Sequence, residues 1–450
     1  MANLRVYPAD RPLTGRVEVP SDKSISHRAL ILAALANGRS RLQRFSYGED
    51  NVSTLAALRA LGVSIGDDGA ESIVVEGVGL DGLHEPSVDI DCGNSGTTMR
   101  LLCGVLSAQT FHSRMVGDAS LSRRPMLRVA APLELRGAVI RGHHHPTKPD
   151  DITAPLDVGP LPLGKRLTEL EYRLPIASAQ VKSALLLSGL FASGSTVLSE
   201  PLLSRDHTER MLQAIGVPLV TIGTSVRLDP PTSVMALNAF DVELPGDLSA
   251  AAFPLVAAAL VEGSCVTTLH TGTNPSRTGL IDALKSLGAH WVLAPRGSVL
   301  NEPLAELMVK QKPLRAALIG GEMATRAIDE IPIICALAAR ASGVTEIADV
   351  AELRVKESDR LATMATVLTA FGVNCEERPD GLSIEGRPER PLRAARVESH
   401  GDHRIAMTAA VLALVADGPS SIEDTDCIAT SFPNFVETLR QLGARIEVNS

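Results

Sequence analysis

Aromatic side chains are scarce in this 450-residue sequence, which has one Trp, three Tyr and eight Phe. The formal net charge is −9 at pH 7, so there is no overall positive field either. Single-stranded nucleic acids are usually bound through aromatic side chains that stack on the bases and through a basic surface. The composition therefore excludes a general nucleic-acid binder, and an anionic ligand needs a local cluster of cations.

Long hydrophobic runs are also missing. Residues 250–261 form one of the longest, yet they contain Pro254 and fall well short of the roughly 20 residues that cross a bilayer. The first residues, MANLRVYPADRP, lack the apolar stretch of a signal peptide. We therefore expect a cytoplasmic protein that does not enter a membrane.

Metal and disulfide patterns are absent as well. The six cysteines are scattered and form no CxxC motif, which is typical of core residues in a reducing compartment. His143, His144 and His145 are consecutive, so their side chains point in different directions, and Pro146 and Pro149 indicate a loop. We predict exposed histidines here and no metal site.

One local pattern occurs six times along the chain. A periodic apolar segment ends at Gly and is followed by a strand-like run, and Gly is typical of helix ends because it adopts the left-handed conformation at little cost. The segments are LAALRALGVSI, LELRGAVI, MLQAIGVPLV, LIDALKSLGAHWV, VLTAFGVNC and LRQLGARIEV. Their glycines are Gly62, Gly137, Gly216, Gly288, Gly372 and Gly443. Because 450 residues are more than one hydrophobic core usually supports, we expect the six segments to be divided between two domains.

The six units begin alike, with a short strand, a few small or polar residues and an Ala/Leu-rich helix. These starts are PSDKS, CGNSG, IASAQ, PGDLS, AIDE and HGDHR. Two of them are similar in sequence over a longer stretch, VEVPSDKS from Val17 and VELPGDLS from Val242. Mixed helices and strands in long repeats favour closed α/β domains over a solenoid. We predict two α/β domains of three units, one from residues 1–20 and 245–450 and the other from residues 21–244.

Cations at these helix starts need an explanation. Ser, Asp and Asn there are ordinary N-caps, but positive side chains oppose the helix macrodipole. The cations are Lys23, Arg28, Lys356, Arg360 and Arg404. They are consistent with bound anions in front of the helices, since Lys offers a point charge and Arg a planar pair of donors. The alternatives are that Arg28 pairs with a nearby Asp and that the RVKESDR segment is a surface helix with ion pairs.

The remaining starts add neutral donors and carboxylates. Gly93, Gly96 and Asn94 bring donors close to a ligand, although their spacing matches no established phosphate loop. Arg124 follows them in the sequence, and the alternative is that Arg123 and Arg124 are simply exposed to solvent. Ser178 and Gln180 are neutral donors suited to hydroxyls and phosphate oxygens. Asp329 precedes an apolar helix, where a carboxylate can act as a base. In RVKESDR, Lys356 and Arg360 would share one helical face at i,i+4, with Glu357 one turn before Arg360.

Taken in order, seven segments give a specific signature. They are SDKSISHR, GNSGTTMR, RRPM, SAQVKS, RDHTE, LRVKESDR and GDHRIAM. With them the sequence resembles the 5-enolpyruvylshikimate-3-phosphate synthase family, the 3-phosphoshikimate 1-carboxyvinyltransferases, in its bacterial branch with RDHTE and SAQVK. The resemblance implies an inside-out α/β barrel of two domains with six repeated βαβαββ units. It also implies an active site in the cleft between the domains.

The resemblance further implies transfer of the enolpyruvyl group of phosphoenolpyruvate to the 5-hydroxyl of shikimate 3-phosphate, with release of phosphate through a tetrahedral intermediate. No metal or cofactor is implied, and we expect a monomer. The motif positions place Lys23, Ser24, Arg28, Ser178, Gln180, Arg205, Asp329 and Lys356 on shikimate 3-phosphate. They place Lys23, Asn94, Gly96, Arg124, Gln180, Arg360 and Arg404 on phosphoenolpyruvate. Asp329 matches the residue that takes the hydroxyl proton, and Lys23, Glu357 and His403 are the candidates for proton transfer at the methylene carbon.

Gly96 is the residue of family members that glyphosate inhibits, where insensitive members have Ala. The resemblance therefore implies that glyphosate inhibits this protein.

Two other functions fit the sequence less well. UDP-N-acetylglucosamine enolpyruvyl transferases use a loop Cys as a general acid, and none of the six cysteines lies in a comparable loop. A non-catalytic repeat module predicts interchangeable helix starts, but VEVPSDKS has Lys23 where VELPGDLS has Leu248.

Overall fold

The computed structural model describes residues 2–69, 71–145, 148–231 and 237–449. The chain divides into two compact units, which are described separately. The terminal unit contains Met1–Asp22, Pro245–Gly297 and Pro303–Ser450. The central unit contains Lys23–Leu244 and Ser298–Glu302.

Helices and strands alternate along both units. The helices are α1 Lys23–Leu35, α2 Glu49–Ala60, α3 Gly96–Leu106, α4 Leu127–Leu135, α5 Ala179–Gly189, α6 His207–Ala214, α7 Leu248–Leu260, α8 Gly279–Ser286, α9 Gly321–Arg326, α10 Ile331–Ala339, α11 Arg360–Ala370, α12 His403–Ala413 and α13 Phe435–Leu442. The first twelve strands are β1 Asn3–Val6, β2 Thr14–Glu18, β3 Asn37–Gln43, β4 Ser64–Asp67, β5 Ile73–Val78, β6 Ile90–Asp91, β7 Ser113–Val116, β8 Ile140–His145, β9 Lys148–Val158, β10 Leu170–Arg173, β11 Thr196–Ser199 and β12 Leu219–Ile222. The others are β13 Ser225–Leu228, β14 Asp241–Glu243, β15 Cys265–Gly272, β16 His290–Val299, β17 Glu302–Lys310, β18 Leu314–Arg315, β19 Leu318–Ile319, β20 Ala341–Ile347, β21 Asn374–Arg378, β22 Gly381–Gly386, β23 Arg396–Glu398, β24 Ser420–Glu423 and β25 Ile446–Asn449.

Each unit has three sheets with one strand order. In the central unit the orders are β14-β3-β5-β4, β6-β7-β9-β8 and β10-β11-β13-β12. In the terminal unit they are β2-β15-β17-β16, β18-β20-β22-β21 and β23-β24-β1-β25, with β19 also paired to β20. In every sheet the first strand is parallel to the second, and the third is antiparallel to the second. The predicted α/β fold with six repeats is confirmed.

The six repeated glycines follow α2, α4, α6, α8, α11 and α13. Their φ angles lie between 79° and 114°, so each has the left-handed conformation that the sequence pattern predicts at a helix end.

Two stretches differ from the predicted division, because the structure groups residues 21–22 with the terminal unit and residues 298–302 with the central unit. For residues 298–302, hydrogen bonds to α6 explain the grouping. His207 Nδ1 lies 2.8 Å from Glu302 Oε1, and Arg210 Nη1 donates to the carbonyl of Asn301 at 2.9 Å.

Two strands belong to a different sheet from the one that their sequence position suggests. β2 leads directly into α1 of the central unit but pairs with β15 of the terminal unit. β14 leads into α7 of the terminal unit but pairs with β3 of the central unit. These strands belong to the two similar segments of the sequence. The predicted division already placed β2 with residues 245–450 and β14 with residues 21–244, and the structure adds the strands with which they pair.

The helices that follow the polar starts are buried on all sides. Every residue of α7, α10 and α12 is buried, as is Ile25–Leu35 of α1. Each packs on a strand of its own unit, α1 on β5, α7 on β15, α10 on β22 and α12 on β24. A helix surrounded by protein has no polar face, so its chemistry is concentrated at its start. Within the described ranges, no helix combines the length and hydropathy needed to cross a bilayer.

A cluster around Arg277 joins the segments after β2 and β14. Arg277 Nη1 donates to Asp22 Oδ2, and its Nη2 lies 3.1 Å from Asp247 Oδ1 and 2.5 Å from Ser249 Oγ. Burial opposes the charged guanidinium, but Asp22 and Asp247 outweigh it and raise the pKa of Arg277. The backbone N–H of Asp22 also donates to the Pro245 carbonyl at 2.7 Å. We call Arg277, Asp22, Asp247 and Ser249 the Arg277 cluster.

His27 lies fully buried in the central unit. Its Nδ1 is 2.6 Å from Thr54 Oγ1, which is 2.6 Å from Thr98 Oγ1. Its Nε2 is buried without a hydrogen-bond partner among the described residues. Burial, together with the charges of Lys23 and Arg28, lowers the pKa of His27 well below its usual value.

This histidine makes stability depend on pH. Below about pH 6.5 His27 is protonated in the unfolded chain but stays neutral in the folded protein. The free energy of unfolding therefore falls as pH falls. We expect His27 to contribute a loss of about 1 kcal/mol between pH 7 and pH 5.5. Urea unfolding at both pH values measures it, and the His27→Gln variant should lose correspondingly less stability. An identical pH dependence in the two proteins would contradict the assignment.

Arg136, at the end of α4, is fully buried and donates to neutral groups. Its acceptors include the Thr168 carbonyl at 2.8 Å, Ser188 Oγ at 2.8 Å and Thr196 Oγ1 at 3.0 Å. Burial lowers the pKa of Arg136 to about 10, so the group is still charged at neutral pH.

Replacing this side chain should destabilise the protein. Arg136→Met leaves several buried acceptors without donors, and we expect a loss of about 3 kcal/mol in the free energy of unfolding. The control is Arg128→Met, since Arg128 is exposed on the same helix and its loss should cost less than about 0.5 kcal/mol. Equal effects in urea unfolding would be evidence against the role of the buried guanidinium.

Candidate active site

The start of α1 carries three of the predicted site residues. Lys23 is its first residue, and Lys23 Nζ lies 3.0 Å from Asp50 Oδ2 in the first turn of α2. Ser24 is half-buried, and its carbonyl accepts from Arg28 Nη1 at 2.9 Å. Asp50 was not predicted from the sequence, because no local pattern connects it with Lys23.

Arg28 is buried among hydroxyl groups. Its Nε donates to Thr208 Oγ1 and its Nη2 to Ser183 Oγ, both at 2.7 Å. These hydrogen bonds hold the guanidinium in one orientation near the start of α1.

The Gly-rich segment forms the start of α3. Ser95 is the N-cap and accepts from the N–H of Thr98 at 3.1 Å, and Gly96 is the first helical residue. The side chain of Asn94 is engaged on both sides, with Nδ2 donating to Asp118 at 2.6 Å and Oδ1 accepting from Arg124 Nη2 at 2.5 Å. Asn94 therefore fixes the position of Arg124.

Arg100 connects α3 with α5. It was not predicted from the sequence. Its Nη1 donates to Gln180 Oε1 at 2.7 Å, and Gln180 Nε2 donates to Thr97 Oγ1 at 3.0 Å. A Cβ added at Gly96 would lie 2.7 Å from Arg100 Nη1 and 3.3 Å from Arg124 Nη1. Arg100 follows Gly96 by four residues, as Arg28 follows Ser24. This shared spacing could have indicated Arg100 from the sequence.

Ser178 and Arg205 complete the predicted set of the central unit. Ser178 is the N-cap of α5, and its Oγ accepts from the N–H of Val181 at 3.5 Å. Arg205 is half-buried and lies two residues before α6.

In the terminal unit, three cations surround one carboxylate. Lys356 Nζ lies 3.9 Å, Arg360 Nη1 3.6 Å and Arg404 Nη2 3.9 Å from the carboxylate of Asp329. Arg404 Nη1 also donates to the Asp329 carbonyl at 2.9 Å. The Asp329 side chain is 15% exposed, so a small molecule can reach it. We call these four residues and Glu357 the Asp329 cluster.

Arg360 is the most buried member of the Asp329 cluster. Its Nε donates to Asp402 Oδ2 at 2.8 Å and its Nη2 to Glu357 Oε2 at 2.7 Å. Burial opposes the charged form, but Asp402 and Glu357 outweigh it and raise the pKa of Arg360. Asp402 is fully buried and also accepts from the N–H of Arg404 at 3.0 Å as the N-cap of α12. His403, the first residue of α12, is 2% exposed.

One local prediction was wrong, since RVKESDR is not a continuous helix. A 3₁₀ turn spans Ala351–Val355, and α11 begins only at Arg360. The break arises because Asp359 is an N-cap that accepts from the N–H of Ala362 at 3.1 Å. Lys356 and Arg360 therefore do not share a helical face, although both lie near Asp329.

The three consecutive histidines lie in strand β8, not in a loop, with His143 and His144 exposed. Pro146 is outside the described residues, and Pro149 lies in β9. In the described part of the chain, no group of three His, Cys, Asp or Glu side chains has the geometry to hold a metal ion.

The two sets of residues suit anionic ligands with a reacting hydroxyl. The central unit offers Lys23, Arg28 and Arg124 together with the amide of Gln180 and the N-terminus of α3. The terminal unit offers cations around a carboxylate that can accept the proton of a hydroxyl group.

Comparison with known proteins gives consistent results. A family model described as EPSP synthase (3-phosphoshikimate 1-carboxyvinyltransferase) matches residues 8–439. The 3-phosphoshikimate 1-carboxyvinyltransferase of Geobacter sulfurreducens is 47% identical over 445 residues, which are 99% of this chain and 100% of that protein. The protein of the same name from Gloeobacter violaceus is 49% identical over 438 residues, 97% of this chain and 98% of its own.

A solved structure agrees in fold. The EPSP synthase from Acinetobacter baumannii is 41% identical and superposes with a TM-score of 0.89, covering 100% of both chains. A match of this extent includes every segment that carries the predicted site residues. The chain belongs to the EPSP synthase family, the 3-phosphoshikimate 1-carboxyvinyltransferases.

Proposed function

We propose that this chain transfers the enolpyruvyl group of phosphoenolpyruvate to the 5-hydroxyl of shikimate 3-phosphate and releases inorganic phosphate. The reaction is a step of the shikimate pathway toward aromatic amino acids. The main support is the Asp329 cluster, in which one accessible carboxylate lies within 4 Å of three cations. Both substrates carry a phosphate and a carboxylate, so several cations are needed for the two together.

The site residues are assigned to the two substrates, with Lys23 and Gln180 shared by both. Shikimate 3-phosphate binds Lys23, Ser24, Arg28, Ser178, Gln180, Arg205, Asp329 and Lys356. Phosphoenolpyruvate binds Lys23, Gly96, Arg124, Gln180, Arg360 and Arg404. Asn94 acts on phosphoenolpyruvate through Arg124, because its side chain is bonded to Arg124 and Asp118.

The chemistry follows from the charges. Asp329 removes the proton of the 5-hydroxyl while an acid protonates the methylene carbon of phosphoenolpyruvate, and Lys23, Glu357 and His403 are the candidates for that acid. The hydroxyl oxygen then attacks the adjacent carbon to give a tetrahedral intermediate. The conjugate base of that acid then takes a proton back from the new methyl group, which re-forms the double bond as the bond to phosphate breaks. Arg124, Arg360 and Arg404 stabilise the charge of the phosphate as it leaves.

The UDP-N-acetylglucosamine transferase and the non-catalytic repeat module are not favoured, since the family model and the relatives all belong to the carboxyvinyltransferases. We further propose that the enzyme is a cytoplasmic monomer that uses no metal or cofactor and binds no nucleic acid. Its net charge of −9 supports the last point.

The reaction is tested by phosphate release from purified protein, with EDTA present. We expect release only when both substrates are added. Asp329→Asn keeps the size of the side chain but removes the base, so kcat should fall at least about 100-fold. Lys23→Met should reduce kcat/KM by a similar factor, because a cation next to both substrates is lost.

Exposed residues of the same types are the controls. Lys165→Met and Asp380→Asn change exposed side chains of the central and terminal units, and their rates should stay within about twofold of wild type. No phosphate release from folded wild-type protein would refute the proposed function, and UDP-N-acetylglucosamine would then be tested as the acceptor.

Gly96→Ala should weaken inhibition by glyphosate by about tenfold or more and raise the KM for phosphoenolpyruvate less. The added Cβ would lie 2.7 Å from Arg100 Nη1, so Arg100 or the ligand must shift. Gly66→Ala is the matched control, because a Cβ there meets nothing within 4 Å. A wild-type enzyme that millimolar glyphosate does not inhibit would refute this prediction.

A further inference from the structure

The central unit contains a buried group of charges to which the proposed reaction assigns no role. Lys182 Nζ lies 2.5 Å from Glu200 Oε1 and 2.7 Å from Glu209 Oε1. The three side chains are 2%, 1% and 5% exposed, so all are effectively out of solvent. We call these residues the Lys182 cluster.

The Lys182 cluster joins three elements. Lys182 is in the first turns of α5, Glu200 follows β11, and Glu209 is in α6. Lys182 Nζ also lies 3.5 Å from the Ser204 carbonyl, and the N–H of Ser204 lies 3.5 Å from Glu200 Oε1. The segment just before Arg205 is thereby tied to α5, whose start carries two other residues of the site.

The cluster is adjacent in sequence to the residues that hold Arg28. Ser183 follows Lys182, and Thr208 precedes Glu209. Thr208 Oγ1 donates to Ser183 Oγ at 2.7 Å, and the same two hydroxyls accept from Nε and Nη2 of Arg28. The ion pair between Lys182 and Glu209 and the bond between the two hydroxyls therefore join α5 and α6 at adjacent positions.

Stability alone is a poor reason for such a cluster. One ammonium faces two carboxyl groups in the interior, where burial raises the pKa of Glu209, and buried ion pairs are often no better for stability than apolar side chains of the same volume. Burial opposes the charge of Lys182, but Glu209 and Glu200 outweigh it and raise the pKa of Lys182. Lys182 thus stays charged at neutral pH, and the cluster provides directional bonds between elements.

We propose that the Lys182 cluster positions the shikimate 3-phosphate residues of the central unit. It holds Arg28 and Arg205 in fixed relation to Ser178 and Gln180 at the start of α5. Its members do not touch the substrate and act through these four residues. The inference rests on the proposed function, because it takes shikimate 3-phosphate as the ligand of those residues.

The test replaces the whole cluster by neutral side chains of similar size. The Lys182→Met/Glu200→Gln/Glu209→Gln variant leaves no unpaired buried charge, so it is expected to fold. We expect its KM for shikimate 3-phosphate to rise about tenfold or more, while its KM for phosphoenolpyruvate stays within about twofold. Calorimetric titration with shikimate 3-phosphate alone should show the same loss of affinity. If the triple variant does not fold, Glu209→Gln is measured in its place, with a rise of about threefold expected in the KM for shikimate 3-phosphate only.

Arg136→Met is the control for a merely structural effect. Arg136 bonds to Ser188 near the other end of α5, so its loss destabilises the same helix without touching the cluster. Its KM for shikimate 3-phosphate should equal that of wild type. Lys182→Arg keeps the positive charge and should retain more affinity for shikimate 3-phosphate than Lys182→Met.

The outcomes separate the two proposals. A folded cluster variant with a wild-type KM for shikimate 3-phosphate, or an equal rise in Arg136→Met, would overturn the positioning role while leaving the proposed function intact. A wild-type protein that neither binds shikimate 3-phosphate nor releases phosphate would overturn both.

Discussion

The contact of one buried guanidinium with two aspartates underlies the fold. Arg277 donates to Asp22 and Asp247, the residues at which the chain leaves the terminal unit after β2 and returns to it after β14. Because β2 and β14 pair in sheets other than those of the helices they precede, the chain passes between the units at both places, and the bonds of Arg277 hold the two segments together within the terminal unit. A buried Arg bonded to two carboxylates provides strong directional bonds where apolar packing alone is non-directional.

The buried helices explain why the polar chemistry lies where it does. Helices covered on all sides by strands and other helices have no polar face, so their first turns are the places where charged side chains can reach solvent or a ligand. In the central unit the hydroxyls of Thr208 and Ser183 orient Arg28. In the terminal unit Asp402 and Glu357 accept hydrogen bonds from Arg360. These bonds keep the guanidinium charged and hold it beside Asp329. Two different solutions thus stabilise cations at helix starts.

Most side chains around the site are held by other side chains. Asn94 fixes Arg124, Arg100 fixes Gln180, and the hydroxyls of Ser183 and Thr208 fix Arg28. Such bonds keep long, flexible side chains in one orientation before a ligand arrives, which lowers the entropy lost on binding. The network of buried hydrogen bonds also links stability to the site, because each bond left unmade in the interior is costly.

The sequence by itself determined the six repeats, the glycines at the helix ends, the α/β class and the residues at each helix start, because these depend on local periodicity and on backbone conformation. Only the tertiary structure decided which strands β2 and β14 pair with, that α11 begins at Arg360, and that Asp50, Arg100 and Asp402 adjoin the predicted residues. Those features depend on pairs of residues far apart in the chain. Arg100 and Gln180, for instance, are 80 positions apart and meet only because α3 packs on α5.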